Sequence, residues 1–404
     1  MILTTHHAYM DSLTLAPARH AVRANAAAPN LVVAMEPAFD FAGREYRSLQ
    51  QRSRATAFQA ARWLTALQHD VAPAAGAEPV TVTVRDAADG RLMLVLPLAR
   101  QRVRGLTFLT FADFGLCDYI APIYDPADAP SLLADGGLAQ RVIAALPHHD
   151  VLQLIKLVGG DAILDRLFPN TRRARMRVSA YPVKIKSSWE EWRNAVLDTG
   201  FRRDLDTKRR RIVRRAAPEF VLLDDPDEIT RAFQALRQFR AQRFKERGAS
   251  DVLEREAVFA FYRRIALEGA TDGTARTFCL YLSGEPAAVM FGIVDRGTFS
   301  LLLVGFDLAR YRRLSIGLLA IEDTLRASFD AGDRVYDFTI GDYSYKTQFG
   351  GEASALYEWH QGRTLRGRAT VLGISLLREL KRLLKPLVRR RNGTLVKKTV
   401  AAAQ

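Results

Sequence analysis

Two short stretches of this 404-residue sequence carry residue types at a spacing that could do chemistry. The first runs Gly305-Phe-Asp-Leu-Ala-Arg310-Tyr-Arg312-Arg313-Leu314-Ser315-Ile316-Gly317 and joins an apolar run to a predicted helix. The first turn of a helix leaves backbone N–H groups unpaired and carries partial positive charge, so it suits an anion. Small residues at 315 and 317 would let a phosphate approach, and Arg310, Arg312 and Arg313 would add cations. The plainer alternative is a Ser-capped helix after a basic loop. The second stretch runs from Tyr336 to Gly351. It places Asp337, Asp342, Tyr336, Tyr343, Tyr345 and Lys346 within eleven residues at the end of a predicted strand. Carboxylates, phenols and an amine at one strand end are the groups that move protons. The plainer alternative is an exposed aromatic loop.

Other chemistries find no pattern. The histidine pairs His6-His7 and His148-His149 lack metal-ligand spacing, and no metal is expected. There is no phosphate-loop G-x-x-x-x-G-K-[ST] and no G-x-S-x-G. His360 reads as the end of a strand. Cys117 and Cys279 are too few and too far apart for a disulfide framework, which fits a reducing compartment. No signal peptide and no membrane-spanning run is expected, so the predicted location is cytoplasmic. The formal charge of +15 sits almost entirely in residues 202–215 and 381–398, each with eight basic residues, and the rest of the chain is close to neutral. Such elements attract phosphates, anionic lipid or nucleic acid. The pattern over 371–390 is an amphipathic helix ending in cations. It is either a packed terminal helix or one lying at the inner face of an anionic membrane.

Hydrophobic periodicity supplies the elements that would hold these stretches. Order is expected from Leu31, with 1–30 disordered. Helix is predicted over 44–69 and 130–146, a hairpin over VTVTVRD-ADG-RLMLVLPL, and a buried strand over 151–158. A basic, loop-rich stretch follows to about Val183. Ser188-Trp-Glu-Glu191 is a capping box. Helices then cover 189–197, 201–215, 227–246 and 252–269. Strands fall at 219–224, 277–282, 287–294, 298–306 and 334–340, with a helix over 315–330 and a last strand at 355–360. The reading is α/β (α+β), two lobes each with a helix–hairpin–helix–strand unit. No residue-level repeat is clear.

The spacing R-R-L-S-I-G at 312–317, then D-F-x-x-G-D-x-x-Y-K-x-x-F-G from Asp337 to Gly350, resembles the CelD/BcsL-type acetyltransferases of the GNAT superfamily, which are linked to exopolysaccharide synthesis. DGRLMLVLPL, Phe114-Gly-Leu-Cys-Asp118-Tyr119-Ile-Ala-Pro122 and FRRDLDTKRRRIVRRA at 201–216 add to the likeness, which spans about 31–365. More distantly, the chain is similar to Fem-type peptidyltransferases, which share tandem lobes and the K-x-x-F-G ending. The usual phosphate loop of the superfamily is Q/R-x-x-G-x-G/A; here Ser315 takes the first small position.

The resemblance implies two tandem GNAT-like lobes at 31–185 and 186–370, each a mixed, mostly antiparallel sheet flanked by helices, and a basic tail at 371–404. It implies acetyl-CoA or another acyl-CoA as donor, held by Arg310, Arg312, Arg313, Leu314, Ser315, Ile316 and Gly317. The acceptor's amine or hydroxyl would attack the thioester directly, with backbone N–H groups around Leu303 and Val304 polarising the carbonyl. Asp337 and Asp342 are candidate bases, Asp342 favoured for lying past the strand end. Tyr343 or Tyr345 would protonate the leaving thiolate. Lys346 would hold the acceptor or the developing oxyanion, and Asp118 and Tyr119 would line an acceptor cleft between lobes. Two competing expectations are aminoacyl transfer from charged tRNA, with 202–215 as the contact, and a non-catalytic binding module.

Overall fold

The computed structural model describes residues 30–377. The expectations for 1–29 and for 378–404, including most of the basic tail, lie outside the described residues. The first half runs β1 (Leu31–Met35), α1 (Arg44–Arg52), α2 (Ala61–Ala66), β2 (Glu78–Asp86), β3 (Leu92–Val103), β4 (Leu106–Phe111), β5 (Ile123–Tyr124), α3 (Ala129–Ala134), α4 (Leu138–Ala145), β6 (Val151–Val158), α5 (Ala162–Leu167) and β7 (Arg172–Lys184). The second half adds two leading helices, α6 (Trp189–Val196) and α7 (Thr199–Val213). It then repeats the plan: β8 (Pro218–Leu223), α8 (Pro226–Lys245), α9 (Glu256–Ala270), β9 (Ala275–Leu282), β10 (Glu285–Asp295), β11 (Thr298–Phe306), α10 (Leu308–Tyr311), α11 (Ile316–Asp330), β12 (Val335–Ile340), α12 (Ser344–Gln348) and β13 (Ser354–Gly362). A further helical stretch covers 365–377.

All the strands join one mixed, mostly antiparallel sheet. Its order is β1-β2-β3-β4-β6-β13-β7-β12-β11-β10-β9-β8, with β5 paired to β3. Reading β1, β2, β3, β4, β6, β7 against β8, β9, β10, β11, β12, β13 makes this order symmetric about its centre. The last strand of each half is exchanged: β7 pairs with β12, and β13 pairs with β6. The chain is therefore two tandem GNAT-like lobes built on one sheet. The repeat also leaves a trace in sequence. The β3–β4 and β10–β11 hairpins both turn on Arg-Gly, Arg104-Gly105 at φ 49° and 79° and Arg296-Gly297 at φ 46° and 72°. Consecutive left-handed residues make the two-residue turn that matches strand twist, and glycine takes the second place without steric cost.

Local signals explain the helix starts. Ser188 and Glu191 form the expected capping box, Asp198 caps α7, and Asp225 caps α8 ahead of Pro226. The core has two layers. One unites the first lobe with α8 and α9 of the second, joined by Trp63 against Phe261 (ring centroids 4.9 Å apart) and Tyr262. The other packs α6, α7 and α11 on the opposite face of the second lobe. The stretch before Val183, read as loop, is instead the 13-residue strand β7. It is central in the sheet, yet its first residues are exposed arginines. The basic segment 202–215 is partly structural. Arg193 and Arg209 clamp the buried Glu322 at 2.9 and 2.8 Å, and Arg209 also reaches Asp323. A buried carboxylate needs such partners. Arg203, Arg210, Arg211, Arg214 and Arg215 remain exposed without an acidic partner among the described residues. No helix among the described residues is long and apolar enough to cross a membrane.

Candidate active site

In the second lobe, β11 and β12 run parallel and pair only from Thr298–Ser300 to Val335–Asp337. Beyond that point they part. Phe338 and Thr339 form a bulge, with Thr339 left-handed at φ 55°, and pairing with β7 resumes at Ile340 and Ala180. A non-glycine residue held there is strained, and such strain concentrates at functional positions. Thr339 Oγ1 donates to the Leu301 carbonyl across the mouth of the split. Further up β11, Arg240 donates to the Val304 carbonyl while its other nitrogens hold Asp251. The backbone of Leu302–Val304 therefore borders a gap rather than a strand. An edge of this kind can receive a ligand.

Asp337 sits where the strands part. It is buried, its Oδ1 accepts from the Thr339 N–H at 2.8 Å, and its Oδ2 accepts from the Tyr119 hydroxyl at 2.6 Å. Burial pushes its carboxyl up to about 6, against the hydrogen bonds from Tyr119 and Thr339, which favour the charged form. Asp118 is raised too, first by burial, while hydrogen bonds to Thr339 and Ile340 oppose the shift. Two carboxyl groups, one from each lobe, thus converge on the end of β12. The loop carrying Asp118 and Tyr119 is held from several sides. Trp63 Nε1 donates to Cys117 Sγ, Gln59 to the Tyr119 carbonyl at 3.1 Å, and Lys156 to the Cys117 carbonyl at 2.6 Å. Burial works against the Lys156 ammonium, but Asp113 at 2.8 Å outweighs it.

Lys346 is buried and projects from α12 back onto β12. Its Nζ donates to the carbonyls of Phe338 (2.7 Å), Thr339 (3.0 Å) and Ile340 (2.8 Å). An ammonium has three donors, and all three are committed here. It is therefore not free to grip an acceptor in this state, and what it does is fix the course of β12 beyond the split. Burial lowers its pKa to about 8, offset by Asp118, Asp337 and Asp342. Asp342 lies outside, exposed, accepting from the Ser179 N–H and the Tyr181 hydroxyl. Tyr343 and Tyr345 stack 5.9 Å apart at the mouth. Tyr343 is exposed, and burial pushes the Tyr345 phenol up to about 12.

The start of α11 lies at the other end of β11. Ser315 is left-handed at φ 53°, and no side chain caps the helix. A basin of about 500 Å³ lies beside it, lined by Arg215, Ala216 and residues 308–314. Arg310 pairs with Asp307 and Arg312 with Glu246, while Arg313 has no acidic partner among the described residues. Gly317 faces the Phe306 ring, so a Cβ there would stand 3.2 Å from it. The Ile316 side chain is fully buried in the core, so only its backbone faces the helix end. The matching helix of the first lobe, α4, is closed. Asp135 accepts from the Gly137 N–H and pairs with Arg141. A phosphate there would meet a carboxylate already in place.

Register makes the same contrast. Ser300 and Asp337 are the last paired residues before the second lobe's split, and Thr110 and Gln153 are their counterparts in the first. The amide cannot titrate. The titratable residue at this register position therefore belongs to the second lobe. The sequence missed Thr339, Tyr181 and Arg240, whose signals are a backbone conformation, a strand not foreseen and a helix face.

Comparison with known proteins agrees on the class. Residues 199–347 match the model of the acetyltransferase (GNAT) domain. The crystal structure of FemX superposes with a TM-score of 0.53 at 12% identity, covering 78% of this chain and 95% of that one. The C-terminal DUF2156 domain of a protein named for lysylphosphatidylglycerol synthetase, from Agrobacterium fabrum, gives 0.51 at 12% identity over 82% and 94%. At such identities the likeness is one of fold. No curated protein sequence matches. Over residues 199–347 the chain is thus similar to the acetyltransferase (GNAT) domain.

Proposed function

We propose that the chain is an acyltransferase that moves an acetyl or longer acyl group from acyl-CoA to an amine or hydroxyl of a polar acceptor, in exopolysaccharide or cell-envelope biosynthesis. The observation that carries the reaction is the buried Asp337, bonded across the lobes to Tyr119 where β11 and β12 part. The matched domain class and the resemblance to CelD/BcsL-type enzymes support the donor and the acceptor class. In this reading the α11 start, with Arg310, Arg312, Arg313, Ser315 and Gly317, takes the donor's phosphates. The thioester lies along Leu303 and Val304. The lobe at 31–185 presents the acceptor, past Asp118 and Tyr119, to the lobe at 186–370.

Near neutral pH a carboxyl titrating at about 6 is mostly ionised, yet basic enough to take a proton. Asp337 accepts the acceptor's proton as the nucleophile bonds to the thioester carbon. The carbon–sulfur bond breaks, and the thiolate leaves with a proton from the solvent side. Tyr343 is exposed at the mouth and can pass that proton on, whereas the buried Tyr345 phenol holds its proton tightly. Asp342 and Lys346 shape the mouth and the strand end.

Calorimetry of the full chain with acetyl-CoA tests the donor: binding is expected, and Gly317→Arg should abolish it. Absence of heat from the unaltered protein would overturn the reading. It would favour aminoacyl transfer from charged tRNA, which the exposed arginines of α7 support and which should weaken steeply with salt.

A further inference from the structure

The helical stretch 365–377 shows a row of leucines to solvent. Leu365 is 82% exposed, Leu372 52% and Leu376 63%. At 3.6 residues per turn these three fall within about 40° of one another, and Ala369 lies beside them. The opposite side is pinned to the first lobe. Val371 is buried, and a Cβ at Gly367 would stand 1.9 Å from the Asp150 carbonyl. Asp150 also holds the helix start: its backbone carbonyl accepts from the Arg363 N–H at 2.8 Å, one carboxylate oxygen accepts from the Thr364 hydroxyl at 2.6 Å, and the other accepts from the Thr107 N–H. The leucines are therefore presented outward by packing on the other face, in a fixed direction.

Cations frame the stripe. Arg366 and Arg368 are exposed on its two flanks, Arg363 precedes it, and exposed Arg172 of β7 lies opposite His360 at the end of β13. Downstream, residues 381–398 add eight basic residues and no acid. An isolated leucine row could meet any apolar partner. A leucine row between arginines, continued by a polybasic segment, matches a surface that is apolar beneath a layer of negative charge. Stable attachment to a bilayer takes two such signals together.

We propose that the outward face of helix 365–377, its leucine row flanked by Arg366 and Arg368, docks the protein on an anionic lipid bilayer. The leucines enter the headgroup boundary, and the arginines meet lipid phosphates. The first lobe, which holds this helix, is then the side that faces the membrane. This surface is separate from the split between β11 and β12, so its test is independent of the acyl-transfer reading.

The test is co-sedimentation of the full chain with phosphatidylcholine vesicles, with and without about 30 mol % phosphatidylglycerol. Binding is expected only to the anionic vesicles, with release at about 0.5 M salt, where screening shortens the reach of the charges. Leu372→Glu with Leu376→Glu should weaken binding about tenfold or more, and Arg366→Glu with Arg368→Glu should do the same. An unchanged melting temperature serves as the folding control. Should the leucine pair fail to fold, the arginine pair and the salt release still decide. The proposal is overturned if the unaltered chain ignores anionic vesicles, or if both folded double variants bind as it does. A dimer that becomes a monomer in the leucine variant, without vesicle binding by the parent, would assign the stripe to a second copy.

Discussion

Replacing Asp337 by asparagine should make this protein more stable at pH 8 while removing its activity. The carboxyl is held up at about 6 by burial, against an ordinary value of 3.8. Below pH 4 the folded and unfolded chains both keep this proton, and the site costs nothing. Between pH 4 and 6 the unfolded chain ionises while the folded one holds the proton, so stability falls as pH rises. Above pH 6 the folded state carries the full penalty. A difference of two units corresponds to about 3 kcal/mol. Asparagine is nearly the same size and can still accept from the Thr339 N–H. Its amide must turn a donor toward Tyr119, so part of the gain is lost, and about 1–3 kcal/mol should remain at pH 8. Urea denaturation of both proteins from pH 4 to 8.5 reads this directly and needs no acceptor. The two stabilities should converge near pH 4 and separate through pH 6. A variant less stable than the parent at pH 8, or a difference that does not vary with pH, would refute the argument that Asp337 is a dry, reluctantly charged base.

Tyr119→Phe removes a hydrogen bond that favours ionised Asp337, so the acid limb of the pH–rate profile should move upward by about one to two units. Activity at pH 7 then drops about two- to tenfold and recovers at higher pH; a uniform loss at every pH would show that Tyr119 acts otherwise. Lys346→Met strips three carbonyls, those of Phe338 and Thr339 buried, of their donor at once and should cost several kcal/mol in urea denaturation, at roughly 1–3 kcal/mol per unsatisfied buried group. A near-silent substitution would mean that water replaces the ammonium.

Much of the fold could be read from the chain because its signals are local. The capping box at Ser188 and the alternation in β2 and β3 depend on neighbours in sequence. β7 could not be read that way. Arg172, Arg173, Arg175 and Arg177 give its first half the look of a loop, yet the Arg173 guanidinium lies 4.4 Å over the Trp359 ring of β13. A long cationic side chain can cover apolar surface and keep its head in water. The repeat was hidden for a similar reason. Its trace is Arg-Gly at two turns, which is backbone geometry rather than side-chain pattern. At the site, residue types picked out both carboxylates but favoured Asp342, which lies past the strand end. The difference between them is set by burial and by Tyr119, 218 residues away in sequence, and no local window contains that contact.

The crossing of β7 and β13 at the middle of the sheet has a consequence for how the halves relate. A chain divided after residue 185 would give a leading piece whose β7 has lost both neighbours, and a trailing piece whose β12 meets solvent along the side β7 had covered. Each half finishes the other's architecture, as two hands clasped at the fingertips hold one shape. The cross-lobe bond to Asp337 therefore spans a seam stitched by backbone on both sides. Any slackening of one half would be felt at the buried carboxylate of the other.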